Sequence, residues 1–583
     1  MARSSVQPVL TTSAYYAPGV ISPAGKLLHV SGQTGTIDGH APSDYNSQIH
    51  LALVNLHRVI TAVGATPRDV VKLTLYIVNY DPNNRLHTRP VQTWLAGHRP
   101  AMSLVPVPKL AHPDWLFEIE ATVAVPDALS VPASLSPAVD EETDVLVIGA
   151  GLSGLMAAET VLQAGHRCIV LEGRDRVGGK TWTCPLPSGN GVVDLGAAWI
   201  NDTNQTMMTE LARRAGADLI EQNTVGNCTE ATPTRQIEAI RDTAEADCQA
   251  VDCSRPRDAS LDSMSFLAYL HSRNATPAAV SNASVWTRAM LGQEPQDISA
   301  LYFLNYCRSG GGLLQMRSDR KHGAQYLRVR QGTQIFAKTI AAALPAGTIR
   351  LGQRVTAITQ TERGSALVEA NGRLIRARKV ICSVPTPVLK SIRFEPPLPP
   401  QKQLLVDSFR YGYYTKMMLS FRTAWWVERG FCGLAQSFQG PASIYRDTSV
   451  PAEGKWILTA FLAGDVGREW SKLAQHDREQ ALLKQLGEMY GVPGVPGVPA
   501  GEFLEALGHE WSGEELSGWG CPCPALPPGV LSAAGEALRE PFREVHFVGT
   551  ETAEEWKGYM EGAVRSGRRG GLEAVKWLGR SGL

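Results

Sequence analysis

The sequence predicts an α/β fold built on a parallel sheet with helices on its faces, and three observations carry that prediction. The apolar run Val145–Ile148 leads directly into Gly149, Gly151 and Gly154 and then into an Ala-rich stretch of helical pattern. A second short apolar run, Cys168–Leu171, ends in Glu172, about 20 residues beyond the first glycine. At the far end of the chain another strand, Val545–Val548, meets Gly549-Thr550-Glu551 and a helical stretch from about Gly558. Strand, turn, helix, strand and acid in this order describe a Rossmann-type dinucleotide-binding unit.

Each element of the fingerprint has a physical reason. Gly149 permits the tight turn, Gly151 lets the backbone approach a pyrophosphate, and Gly154 lets helix and strand pack closely. Ser153, between the last two glycines, is counted with them as cofactor-binding. The phosphates then sit on the helix N-terminus, where free N–H groups and the macrodipole favour anionic oxygen. Glu172, at the end of the second strand, is placed to accept both ribose hydroxyls of an adenosine.

The rest of the chain divides around this unit. Residues Asp127–Glu142, rich in Pro, Ser, Ala and acid and without periodicity, read as a linker. Residues 1–126 are therefore expected to form a domain of their own, with strands at Leu27–Gly35, Asp69–Val78 and Leu116–Val125 and a helix at Asn46–Val63: a small α+β unit. Beyond the linker, αβ patterning runs to about Asn223 and a polar, helix-rich stretch to about Tyr326. A strand-rich stretch comes next, from Gln331 to about Pro400, and Gly491–Gly501 is a low-complexity loop. Nucleotide-type segments in the middle and at both ends of residues 143–583 imply a cofactor domain assembled from pieces near 143–224, 331–405 and 515–583. A substrate domain then comes from about 225–330 and 406–514.

Composition sets limits. At 583 residues the chain is too long for one core. Lys+Arg and Asp+Glu are both 56, which gives no electrostatic footprint for nucleic acid or an anionic membrane. The longest strongly apolar run, Val145–Ala158, is too short to span a bilayer, and no secretory signal is visible. Ten cysteines without framework spacing read as reduced thiols inside a cell. The final Arg-Ser-Gly-Leu matches a peroxisomal address only loosely, so a soluble, cytoplasmic protein is expected ahead of a peroxisomal one. No companion His/Cys cluster supports a metal.

The segment after the acid resembles a known signature. The run Glu172-Gly-Arg-Asp-Arg-Val-Gly-Gly-Lys180, with Arg174, Gly179 and Lys180, is similar to the glutamate–arginine–diglycine segment of FAD-binding oxidases. Most of those proteins carry Arg where this chain has Lys180, which keeps the charge and loses the planar fork. Residues from about Asp144 to Leu583 resemble the flavin-containing monoamine oxidase family, fungal type, over nearly their whole length. Asp194-Leu-Gly-Ala-Ala-Trp-Ile200 looks like the segment that passes the flavin, with Ala197, Ala198 and Trp199 beside it. Arg330–Gln334 and Val355 look like the middle FAD piece. His546–Ala553 and Trp556–Ala563 look like the C-terminal signature, in which Gly549, Thr550 and Glu551 border the diphosphate and ribitol and Met560 contacts the flavin ring. The resemblance therefore implies a Rossmann-type FAD-binding domain of the amine oxidase fold plus an α+β substrate domain.

The same resemblance assigns chemistry. Lys416 matches the lysine that holds a water near flavin N5, and a fixed cation there favours O₂ reduction. Tyr559 matches one wall of an aromatic cage around the amine. On the other wall Pro522 stands where a second tyrosine is expected, and Trp519, three residues away, is the candidate to supply the missing face. Cys521 matches the position bonded to the flavin 8α-methyl in the mitochondrial enzymes; here a free thiol and a thioether both stand open, with a Cys521–Cys523 disulfide less favoured.

Residues Ala14–Val125 resemble the reactive intermediate deaminase (RidA) family in Ala14–Val20, His29–Gly35, Val70–Tyr76 and Phe117–Ala121. That family hydrolyses imines. Its essential arginine falls at Met102 here, and Arg99 lies three residues away. A catalytically silent module for stability or assembly is therefore expected, and a homo-oligomer, since free members are usually trimers. Together these readings imply oxidation of a primary amine by FAD and O₂, with long-chain amino polyols such as fumonisins as the resemblance-based substrate. Polyamine oxidation and a non-oxidase flavoprotein scaffold or imine-binding module are the alternatives.

Overall fold

Val145 and Val147 face one side of their strand, Leu146 and Ile148 the other, and all four are buried, as a central strand covered on both faces requires. This is seen in a computed structural model that describes every residue except 1–3, 7–18, 22–24, 38, 127–138, 230–234, 363, 493–496 and 581–583. Most of the expected linker, part of Ala14–Val20, part of the Gly491–Gly501 loop and the C-terminal tripeptide lie outside the described residues.

The N-terminal unit contains β1 (Leu27–Thr34), α1 (Tyr45–Thr61), β2 (Val70–Val78), α2 (Thr88–Leu95), β3 (Ala101–Val107) and β4 (Phe117–Ala124). Its sheet runs β1-β4-β2-β3, with β2 and β3 parallel. Leu73, Leu75, Ile77, Phe117 and Ile119 pack against Ile49, Leu53, Leu56 and Ile60 of α1. Strand β3 and helix α2 were not legible in the sequence. Met102 packs at the edge of this core, and Arg99 is exposed.

Helix α1 is buried on two sides. Its far side carries Ser47, His50 and His57, all buried, and meets the rest of the chain. Ser47 Oγ accepts from the Ser265 amide at 2.9 Å, His57 Nε2 lies 3.1 Å from Asp407, and Asn46 donates to the Gln296 carbonyl at 2.8 Å. Arg89 of α2 bridges Asp297 and Asp465.

The dinucleotide-type sheet begins with β5 (Glu141–Ile148), followed by α3 (Leu152–Gln163) and β6 (Cys168–Leu171). The parallel order is Ile349–Arg350, β6, β5, Arg373–Cys382. Along its C-terminal half Arg373–Cys382 also pairs in parallel with Val545–Phe547; along its N-terminal half it continues into an antiparallel meander through Ala366–Ala370 and Val355–Gln360. Helices α3, Gln334–Ala343 and Met560–Arg580 cover one face and the meander side the other. The linker ends two residues earlier than its composition suggests. Glu141 and Glu142 belong to β5, because Glu141 forms a two-pronged pair with Arg350 at 2.6 Å and Glu142 pairs with Arg376.

The remaining segments form a six-stranded sheet, in the order Asn227–Thr229, Phe431–Gln436, Ile444–Asp447, Trp456–Ala463, Tyr414–Phe421, Phe503–Glu510, and a helical body between Arg235 and Met316. The helical body shares a core with Leu404, Phe409, Cys523 and Leu526, and Val54 of α1 reaches into it. No described helix is long and apolar enough to cross a membrane.

Candidate active site

One long cavity opens at the carboxyl ends of β5 and β6, where Ile148 and Leu171 border it, and runs to the six-stranded sheet and the helical body. Its near end is the glycine turn. Gly149 has φ +99°, which a side chain would strain. A Cβ on Gly154 would lie 2.0 Å from the Gly149 carbonyl, so glycine there is what lets α3 sit on the turn. A Cβ on Gly151 would meet no protein atom within 4 Å, because that side is the cavity itself. Ser153 lines the wall and its Oγ lies 3.0 Å from Ser566 Oγ.

Glu172 is buried and held from behind, its Oε2 accepting from the Ala150 amide at 2.7 Å and its Oε1 from the Arg174 amide at 2.8 Å. Arg174 and Gly179 also line the cavity, and the Arg174 guanidinium pairs with Glu514. Despite burial, which acts upward, His509 and Arg174 pull the Glu514 carboxyl down to about 2. Lys180 is the exceptional group. Its buried Nζ has no hydrogen-bond partner and lies 3.7 Å from the Tyr411 ring centroid, and burial lowers its ammonium to about 8 against the pull of Cys521 and Glu551.

The middle of the cavity is walled by Leu195–Trp199, with Ala197, Ala198 and Trp199 on it. Half-buried Asp194 props this segment by accepting from Thr183 Oγ1 at 2.6 Å and the Thr333 amide at 2.9 Å, while Thr333 Oγ1 donates to the Ala197 carbonyl at 2.7 Å. Val355 joins the lining from the meander, as do Gly549, Thr550, Glu551 and Met560 from the C-terminal segment. Glu551 accepts from the Thr386 amide at 2.7 Å. An FAD fits these residues: an open glycine side at a helix N-terminus for the diphosphate, a carboxylate presented at a strand end, and an orphan ammonium aimed into the space.

At the far end Lys416 projects from Tyr414–Phe421, donates to the Gly196 carbonyl and lies 5.7 Å from the Trp199 ring centroid. Burial lowers its ammonium to about 8, with Asp194 and Cys521 opposing. Tyr559 lines the same cavity, edge-on to Trp556 at 5.3 Å, and Gln325 Nε2 lies 3.3 Å from its hydroxyl. Cys521 and Pro522, joined by a cis peptide, line the same cavity. The Cys521 thiol is buried and pushed up to about 12 by desolvation, and all ten cysteines are free, including the Cys521–Cys523 pair.

Trp519 is a correction. Its backbone has φ +59°, its side chain is 43 % exposed, and it does not line the cavity, so it supplies no face opposite Tyr559. Aromatic lining comes instead from Tyr414, Phe461 and Tyr411. Tyr414 was findable: strand alternation puts it on the same face as Lys416 two residues on. A second missed group, Arg446, carries a two-pronged pair with Asp319 into the same space. No His/Cys/Asp/Glu cluster suited to a metal occurs among the described residues.

Comparison with known proteins agrees with this geometry. Residues 152–570 match the family described as flavin containing amine oxidoreductase, and residues 7–125 match the family described as endoribonuclease L-PSP. The AofH protein of Mycobacterium tuberculosis, named as a putative flavin-containing monoamine oxidase, is 33 % identical over 456 residues, covering 75 % of this chain and 97 % of its own. Human amine oxidase [flavin-containing] B is 27 % identical over 465 residues, covering 75 % of this chain and 87 % of its own. Among solved structures, cyclohexylamine oxidase from Brevibacterium oxydans superposes with a TM-score of 0.69 at 26 % identity, over 75 % of this chain and 99 % of that one. Putrescine oxidase shares the fold, at a TM-score of 0.68 and 24 % identity.

Proposed function

The chain belongs to the family of flavin-containing amine oxidoreductases and is an FAD-dependent oxidase of amines; from that premise we propose that its substrate is a primary monoamine rather than a polyamine. The overall change is RR′CH–NH₂ + O₂ → RR′C=NH + H₂O₂, with R′ a hydrogen or an alkyl group, and addition of water then gives a carbonyl compound and ammonia. When bound, FAD would supply the two-electron redox chemistry that couples amine oxidation to O₂ reduction.

The observation that carries the monoamine reading is the charge around the substrate end. The acids lining the cavity are Glu172, Glu515 and Glu551. Glu172 and Glu551 are held by backbone amides, and Glu515 pairs with Arg354. Arg446 and Arg317 also line the cavity, Arg317 5.1 Å from the Trp286 ring centroid. A second ammonium on the substrate would find no carboxylate free of a partner among these lining residues, and a desolvated charge without a counter-charge is costly.

The remaining roles come from side-chain chemistry. Tyr559 and Tyr414 offer π-faces to the amine, with Gln325 fixing the Tyr559 hydroxyl. The amine has to arrive neutral, so kcat/KM rises with pH toward and above neutrality. Lys416 presents a fixed cation to oxygen. Pro522, smaller than the expected tyrosine, leaves a wider wall that suits a bulky 2-amino-alkane, and the sequence resemblance extends the proposal to long-chain amino polyols such as fumonisins.

The test is peroxide release with n-alkylamines, an amino polyol, putrescine and spermine. Monoamines are expected to exceed the polyamines in kcat/KM by at least about tenfold, equivalent to a cost of ~1.4 kcal/mol for the unpaired second ammonium. Preference for spermine or putrescine would replace this reading with polyamine oxidation. A flavin-loaded protein that yields no peroxide with any amine would favour the scaffold reading.

A further inference from the structure

We propose that Arg446 is an anchor for the substrate's tail, recognising a neutral oxygen, above all a hydroxyl, on the amine that this oxidase consumes. The proposal rests on the oxidase reading above and names the kind of amine. Strand Ile444–Asp447 presents Ile444 and Arg446, two residues apart, to the cavity. Arg446 is held rigidly. Its Nε lies 3.1 and 3.0 Å from the two carboxylate oxygens of Asp319, and its Nη2 donates to Oδ1 at 2.7 Å.

Asp319 sits behind it, 4 % exposed, and does not itself line the cavity. The guanidinium lies 5.7 Å from the Trp199 centroid and 6.0 Å from the Phe461 centroid. Among the described residues Nη1 meets no hydrogen-bond acceptor, and the side chain is 11 % exposed. Lys416 lies 5.7 Å from the same Trp199 ring, so one indole connects the oxygen-facing cation to this free N–H.

In a largely enclosed cavity, a ligand oxygen that reaches an N–H without a protein acceptor is favoured over a hydrocarbon that does not. Asp319 already cancels the guanidinium charge. A carboxylate would gain little net attraction while losing its hydration, whereas a hydroxyl offers the acceptor alone.

The experiment compares n-alkylamines, ω-amino alcohols and ω-amino acids of matched chain lengths, by kcat/KM and by anaerobic flavin reduction, in the wild type, Arg446→Met and Arg446→Met/Asp319→Leu. The double variant covers failure of the single one to fold, since the single one strands a buried carboxylate. At the best length the wild type is expected to prefer the amino alcohol over the alkylamine by at least about tenfold. That ratio should fall to near one in the variants, and the amino acid should gain nothing over the alkylamine. A wild-type ratio near one at every length, a ratio that survives in both variants, or preference for the amino acid overturns the proposal and leaves the oxidase standing. Failure of every amine to reduce the flavin overturns the oxidase reading and this proposal with it.

Discussion

Lys416 carries the clearest consequence of burial at a single residue. Desolvation takes its ammonium from the ordinary lysine range down to about 8. The charge that favours O₂ reduction is therefore present below about pH 8 and is lost as pH rises through it. Stopped-flow reaction of the amine-reduced enzyme with O₂ should slow through that pH. In Lys416→Met it should be about 100-fold slower and lack that pH dependence, in line with loss of one preorganised electrostatic contact. Gly154 makes a second prediction. A Cβ there meets the Gly149 carbonyl at 2.0 Å, so Gly154→Val should purify with its FAD-to-protein absorbance ratio near zero. Lys416 was reached only through the resemblance of its segment to the amine oxidase family, whereas Gly154 was legible because spacing along one strand–turn–helix unit decides where it lies. Trp519 was not: its outward turn depends on a backbone at φ +59°, which no spacing announces. Arg446 was missed for another reason, since its partner Asp319 lies 127 residues away in sequence.

At the scale of elements, β5, α3 and β6 were readable from local pattern alone, and so was α1. What α1 packs against was not. Its apolar side matches the N-terminal sheet, but Ser47, His50 and His57 are buried against another part of the chain, a surface that periodicity cannot reveal. Leu51 of α1 lies against Gly529, where φ is +84° and an added Cβ would approach Leu51 Cδ2 to 2.5 Å. Gly529→Val should therefore press the two units apart and strain the turn. The expected cost is on the order of 2 kcal/mol, read as a fall of a few degrees in the thermal midpoint. A midpoint unchanged from wild type would show that α1 does not dock on this surface. The end of the linker is obscured for a related reason: Glu141 and Glu142 look like linker acids until Arg350 and Arg376 are brought beside them.

Across the whole molecule, an imine-hydrolase-like unit is joined to an imine-producing one, yet Met102 occupies the place of the expected arginine and Arg99 is exposed. The full chain is therefore expected to hydrolyse iminopyruvate no faster than buffer, and light scattering is expected to find a homo-oligomer assembled through this unit. The long cavity is proposed to hold FAD beside the site where primary monoamines are oxidised. The most direct measurement is anaerobic mixing of the purified, flavin-loaded protein with n-alkylamines and amino alcohols, monitored through the flavin absorbance. The yellow colour is expected to bleach with these amines and to return when O₂ is admitted, with one H₂O₂ formed per amine consumed. Retention of full colour with every primary amine, in protein that holds its FAD, would contradict it.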